Sequence, residues 1–220
     1  PRSTLFPYTT LFRSPYMNRP ARYYQRRRDV YNGSMNHFMR SLYHDSLAEE
    51  GFETRRLVRT PNYEKQRVRQ IMASQARRNI NSGGKTVMRL GVAPPADSTT
   101  YYQRVMQQPE ELSHVSSYVL GPDSLLTAGR DSAKILSFNN FLQITYKNGL
   151  EEREYLLYRM LGRKPWYPVS LIFLISEDGI LVEPNGYHYP PQAIFSMEYW
   201  GWSEKVAHML PIDYDPRAKR

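Results

Sequence analysis

VSLIFLISEDGILVEPNG, residues 169–186, decides how this chain is read. Val169–Ile175 is the longest apolar run, too short for a membrane span of about 20 residues, and it reads as a buried strand. Asp178-Gly179 then separates it from a second short run, Gly179–Glu183, and Asn185-Gly186 follows that. Such dipeptides suit type I′ hairpin turns, in which both central residues need positive φ. Working outward, Ile135–Phe138, Phe141–Lys147 and Arg153–Arg159 are further short apolar or alternating runs, with Asn148-Gly149 after the second. The pattern predicts an antiparallel meander. No βαβ alternation is present, which argues against a doubly wound sheet.

Upstream the period changes from 2 to 3.6. Tyr31-Asn-Gly-Ser34 predicts a turn, with Ser34 as N-cap. Met35, Phe38, Met39, Leu42, Tyr43 and Leu47 then mark one helical face, closed by Gly51 as C-cap glycine. Phe52–Arg59 predicts a strand. Thr60-Pro61 predicts the start of a second helix running to about Arg78, with Val68, Ile71, Met72 and Ala76 on one side. Lys85–Val92 reads as a strand, and Ser98–Gln107 as a short helix capped by Ser98. Downstream, Tyr187–Trp202 is aromatic, and Ser203–Leu210 predicts a last short helix capped by Ser203. The expected fold is α+β: two N-terminal amphipathic helices packed on an antiparallel β-meander, with a short C-terminal helix. Residues 15–114 form a basic, helix-rich part and 115–220 a β-rich part with an aromatic C-terminus, joined as one packed unit.

Residues 1–14, PRSTLFPYTTLFRS, fit none of this. They have no apolar core or small-residue cleavage site of a signal peptide. All fourteen are reproduced by reading a widely used sequencing adapter in frame. They are expected to be an artefactual leader rather than native sequence.

Charge is uneven. The net formal charge is +9, of which Arg2 and Arg13 supply +2. Residues 15–80 hold 14 Lys/Arg against 6 Asp/Glu, and residues 81–220 hold 14 against 15. A basic N-terminal third points to a polyanionic partner or to a solvated helix face. The candidate polyanion contacts are Arg26, Arg27, Arg28, Arg67, Arg69, Arg77 and Arg78.

The chemical motifs are sparse. The chain has no cysteine, hence no disulfide and no thiolate chemistry. Its histidines are His37, His44, His114, His188 and His208, without a pair at zinc-ligand spacing. On a helix His37 and His44 stand about 10.5 Å apart along the axis. Gly84-Lys85-Thr86 matches the end of a phosphate loop, but Asn79 stands where its first glycine belongs. Ser34 follows a glycine at a helix cap, not in a nucleophile elbow. Glu49/Glu50, Glu110/Glu111 and Glu151/Glu152 are adjacent and point apart, as solvated surface does. No catalytic, cofactor-binding or metal residue is expected, and no cofactor.

Four stretches carry a family resemblance: Tyr31-Asn-Gly-Ser-Met-Asn-His-Phe-Met-Arg-Ser-Leu42, Glu49-Glu-Gly-Phe52, Phe141-Leu-Gln-Ile-Thr-Tyr146 and Tyr199-Trp-Gly-Trp-Ser-Glu-Lys-Val-Ala-His-Met-Leu-Pro-Ile-Asp-Tyr214. Together they resemble the C-terminal region of the Bacteroidota carboxypeptidase-like regulatory domain-containing proteins, over nearly all of 20–216. The resemblance implies a non-enzymatic protein of the cell envelope: periplasm, outer membrane or cell surface. It implies a transthyretin-like β-sandwich and a secretion signal upstream, both missing here, and a role in binding or assembly. Envelope proteins, anionic lipid or glycan are the implied partners. The family name suggests a peptidase, yet no H-x-x-E zinc pair is present. Two other readings stand beside it: an intracellular nucleic-acid binder acting through the basic Arg22–Arg78 stretch, and an uncharacterised hydrolase gathering His37 or His188 with a carboxylate.

Overall fold

The computed structural model describes residues 21–81, 96–176, 178–205, 210–211 and 214–216. The expected strand Lys85–Val92 lies outside them.

Helices dominate the N-terminal part: α1 (Ala21–Tyr31), α2 (Met35–Tyr43), α3 (Tyr63–Asn81) and α4 (Ala96–Gln107), with strand β1 (Phe52–Pro61) between α2 and α3. The remainder holds β2 (Glu111–Val119), α5 (Pro122–Leu125), β3 (Leu126–Ala128), β4 (Lys134–Leu136), β5 (Phe141–Tyr146), α6 (Arg153–Tyr158), β6 (Val169–Leu174), β7 (Ile180–Val182), β8 (His188–Tyr189), β9 (Ile194–Glu198) and α7 (Tyr199–Ser203). The fold is α+β, with every strand pair antiparallel. The strands divide between a five-stranded sheet, β2-β1-β5-β6-β9, and a four-stranded one, β3-β4-β7-β8. β1 sits between β2 and β5, so chain from both sides of residue 114 builds one sheet.

The division explains which turn dipeptides make hairpins. Asn185-Gly186 joins β7 to β8 as expected, with Gly186 N–H bonded to the Glu183 carbonyl. Only Gly186 has positive φ there, so the turn is not type I′. Gly179 (φ +77) instead carries the chain from β6 in one sheet to β7 in the other. Neither residue of Asn148-Gly149 has positive φ. The Asn148 amide donates to the Glu50 carbonyl, tying the end of β5 to the turn before β1.

Helix α2 supplies the core. Ser34 caps it, its hydroxyl accepting from His37 N–H at 3.1 Å. Phe38, Met39 and Leu42 are fully buried with Leu136, Ile144, Ile172, Val182 and Trp200. The helix stops earlier than Gly51. Ser46 N–H reaches the Ser41 carbonyl and Asp45 N–H the Leu42 carbonyl, a Schellman closure with Asp45 in the left-handed region at φ +56. Aspartate tolerates that conformation better than most residues. Gly51 therefore serves the entry to β1.

Other expected boundaries shift for identifiable reasons. Thr60 and Pro61 end β1 rather than opening a helix; Pro61 pairs with Glu111 at the strand's last position. Asn62 caps α3 instead, accepting from Lys65 N–H at 3.0 Å. On α3 only Val68 of the expected apolar side is fully buried, and Met72 and Ala76 are exposed. Ser98 lies inside α4, which starts at Ala96. At the C-terminal end Ser203 closes α7 rather than opening a helix. Val206 and Met209 fall outside the described residues.

The segment Arg153–Arg159, expected as a strand, is helix α6. A seven-residue segment with four apolar residues carries no decisive period. Glu151 is buried just before the helix, gripped by both Arg163 guanidinium nitrogens (2.6 and 2.8 Å) and by Trp166 N–H (3.0 Å). Glu151 N–H donates in return to the Trp166 carbonyl. The clamp closes residues 151–166 into a loop, and α6 occupies it. Glu151 was expected on the solvated surface. Burial pushes its carboxyl up, but the Arg163 fork and the Trp166 N–H outweigh that and hold it below the ordinary glutamate value of 4.5. A lowered folded-state pKa contributes stability that is complete above the unfolded value and is lost as pH falls through the folded one. Glu151→Gln should therefore be less stable than the wild type by about 2 kcal/mol at neutral pH. The gap should close progressively below about pH 5. Denaturant titrations of both proteins across that range measure it; a pH-independent gap would reject the charged clamp.

Candidate functional site

Two regions hold the residues that sequence reasoning singled out: a polar cavity on α2 and the arginine-bearing helices α1 and α3.

The cavity, about 240 Å³, is lined by Tyr31, His37, Arg40, His44, Glu50 and Asp215, among others. It brings a carboxylate to His37, as the hydrolase reading requires: His37 Nε2 is 3.2 Å from Glu50 Oε2. The proton inventory of the ring is then fixed by its neighbours. Gly33 N–H donates to His37 Nδ1 at 3.1 Å, so Nδ1 is an acceptor. Nε2 carries the proton and donates to Glu50. Tyr31, Phe52 and Tyr146 enclose the ring, with centroids at 4.7, 4.9 and 5.9 Å. Both nitrogens are engaged within the protein, and the nearby Ser41 hydroxyl donates to the His37 carbonyl four residues back. This is the chemistry of a structural imidazole that orders the turn before α2.

Gly33 is a junction in that turn. Its φ is +78, and a Cβ there would lie 2.7 Å from the Tyr146 ring. Its carbonyl accepts from the Trp200 indole at 2.7 Å. No other residue type combines the backbone conformation with that approach.

Arg40, absent from the expected contacts, organises the cavity mouth. Its guanidinium donates to the carbonyls of Asn185 (2.9 and 3.2 Å) and Tyr214 (3.0 Å) and to the Tyr31 hydroxyl (3.1 Å). His188, the other candidate base, sits on β8 and is pushed down by burial. It makes no ion pair among the described residues.

Five of the seven candidate arginines separate into two states. Arg67 grips Glu64 through two nitrogens, and Tyr101 donates to the same carboxylate; together they pull Glu64 down to about 2. Arg69 is 2.6 Å from Glu110, whose carboxyl Lys65 and Arg69 hold below its ordinary value. Arg67 and Arg69 are therefore tied to acids of the same molecule. Arg26, Arg28 and Arg77 are exposed and make no ion pair among the described residues. Arg27 is half-buried, and the Arg78 side chain lies outside the description. Arg26, Arg27 and Arg28 fan out at about 100° per residue, so they form no single cluster.

Sequence reasoning did not find one feature. Leu157, Tyr158, Met160 and Trp166 are exposed by 70, 68, 92 and 64%, in a stretch exposed continuously from 157 to 166. The signal available was their apolar character in a segment lying between two strands. Among the described residues no group of three His, Asp or Glu could hold a metal ion, and no helix is long and apolar enough to cross a membrane. Comparison with protein-family models, with curated proteins and with solved structures returns no match for this chain.

Proposed function

We propose that this chain is a non-enzymatic binding or assembly module of the bacterial cell envelope that meets an anionic lipid surface through α1. The observation that carries the reading is the exposed, basic and aromatic surface of that helix. Tyr23 and Tyr24 are exposed by 47 and 38%, and Arg26 and Arg28 are exposed on different sides of the helix, Arg28 one turn beyond Tyr24. The one acid of α1, Asp29, accepts from Gln25 at 2.7 Å rather than from an arginine. Tyrosine and arginine together suit the headgroup region, where an amphipathic ring and a cation are both satisfied. The sequence resemblance to the carboxypeptidase-like regulatory domain-containing proteins supplies the compartment.

Co-sedimentation with phosphatidylglycerol vesicles tests it, with phosphatidylcholine vesicles as control. Binding should be strong at low salt and fall steeply as salt screens the arginines. Each basic residue near such a surface contributes about 1 kcal/mol, so Arg26→Ala with Arg28→Ala should weaken binding about thirtyfold. Absence of binding to phosphatidylglycerol at low salt rejects the contact. Displacement from vesicles by a short DNA duplex at equal charge would favour the nucleic-acid reading instead.

A further inference from the structure

Helix α6 ends in a way that its sequence does not favour. Leu161 N–H reaches the Leu156 carbonyl at 2.9 Å and Met160 N–H the Leu157 carbonyl at 3.1 Å. That is a Schellman closure, and it places Met160 in the left-handed region at φ +52. Glycine is the usual occupant, because any Cβ there is strained. Gly162 is two residues away, out of register with the position that needs it. Met160 is also the most exposed large apolar side chain described, at 92%. A strained backbone thus holds an apolar side chain out in water, which neither folding nor solubility favours.

Its surroundings share the character. Leu157, Tyr158 and Trp166 stand exposed beside it in sequence, and Arg159, Arg163 and Lys164 are the only charges from 157 to 166. The base is rigid: the Glu151–Arg163–Trp166 clamp closes the loop, and Arg159 is 3.0 Å from Glu198. Arg159 and Arg163 are paired with Glu198 and Glu151, which leaves Lys164 as the cation of the stretch with no ion pair among the described residues. Exposed aliphatic and aromatic side chains beside that lysine, on a fixed support, fit the boundary between acyl chains and headgroups.

We propose that residues 157–166 form an apolar tip that seats in the headgroup layer of an anionic lipid bilayer, with Leu157, Met160 and Trp166 entering it. The proposal deepens the envelope reading and rests on it for the choice of occupant. It adds a salt-resistant contact to the salt-sensitive one of α1.

Trp166 reports on this directly. Of the three tryptophans, Trp200 is buried and Trp202 half-buried, so a change of exposure on binding belongs to Trp166. Titration of the full chain with phosphatidylglycerol vesicles should shift its emission to the blue, and brominated acyl chains should quench it. Trp166→Phe should abolish both effects. Met160→Gly relieves the backbone, so it should keep or raise the melting temperature while weakening vesicle binding about tenfold. Leu157→Glu should do the same to binding.

The two readings fail separately. Vesicle binding that Arg26→Ala and Arg28→Ala remove, with Trp166 emission unchanged, overturns the tip and leaves the α1 contact. A blue shift that survives high salt and those arginine substitutions supports the tip and removes the α1 contact. No binding in any salt overturns both. A concentration-dependent dimer in sedimentation, dissociated by Leu157→Glu, would assign the patch to a second copy and overturn the lipid proposal.

Discussion

Trp200→Ala is expected to lower the unfolding free energy by about 4–5 kcal/mol, the upper range for removing a large buried aromatic. Trp200 is 2% exposed and sits between α2 and β6. Its ring packs on Phe38 of α2 at 5.6 Å, its indole N–H donates to the Gly33 carbonyl, and its backbone N–H donates to the Ser170 hydroxyl on β6. Alanine removes the packing and leaves the Gly33 carbonyl without its donor. Both losses act on the turn that positions α2, so the helix and the sheet loosen together. At about 2–4 °C per kcal/mol for a chain of this size, the melting temperature should fall by about 10–15 °C. Trp200→Phe separates the two terms. It keeps most of the volume and loses only the hydrogen bond, for about 1–3 kcal/mol. A Trp200→Ala protein melting within about 2 °C of the wild type would reject this placement of the C-terminal segment.

Arg40→Met is expected to cost about 3 kcal/mol, although methionine matches the aliphatic part of the side chain. The guanidinium is mostly buried, with 18% of the side chain exposed, and it joins three parts of the chain far apart in sequence. Asn185 of the β7–β8 turn, Tyr214 near the C-terminus and Tyr31 at the end of α1 all depend on it. Removing it leaves two carbonyls without a donor. Lysine restores the charge but not the planar fork that spans separate acceptors, so Arg40→Lys should recover less than half of the loss. Thermal unfolding measures the cost. Limited proteolysis should show earlier cleavage around Tyr214 in both variants, since that carbonyl is held by Arg40. Rescue to wild-type stability by lysine would mean that charge alone matters at this position.

The candidate site was legible in part. The basic N-terminal third is plain in the residue counts, and Arg26, Arg28 and Arg77 are exposed as expected. Arg67 and Arg69 are not available, because Glu64 and Glu110 neutralise them. Glu64 lies one helical turn from Arg67 and could be foreseen. Glu110 lies 41 residues from Arg69 and could not. His37 shows the same limit. Its approach to Glu50 depends on where the chain turns between them, and its proton inventory depends on the Gly33 N–H, which no spacing rule announces.

By itself the sequence determined whatever is written within a turn or two of chain. The α2 apolar face, the Ser34 cap, the strands β1, β5, β6 and β7 and the Asn185-Gly186 hairpin all rest on period and on local hydrogen bonding, which operate over three or four residues. Tertiary structure decided the rest. It divided the strands between two sheets, since Gly179 can carry the chain from one to the other as easily as it can turn a hairpin. It placed Arg153–Tyr158 as a helix inside a loop that a buried carboxylate closes. It set Met160 outward, because the hydrogen bonds that end α6 fall on that residue and not on Gly162. In each case the local chain permitted more than one conformation within about 1–2 kcal/mol, and long-range contacts of larger free energy chose between them.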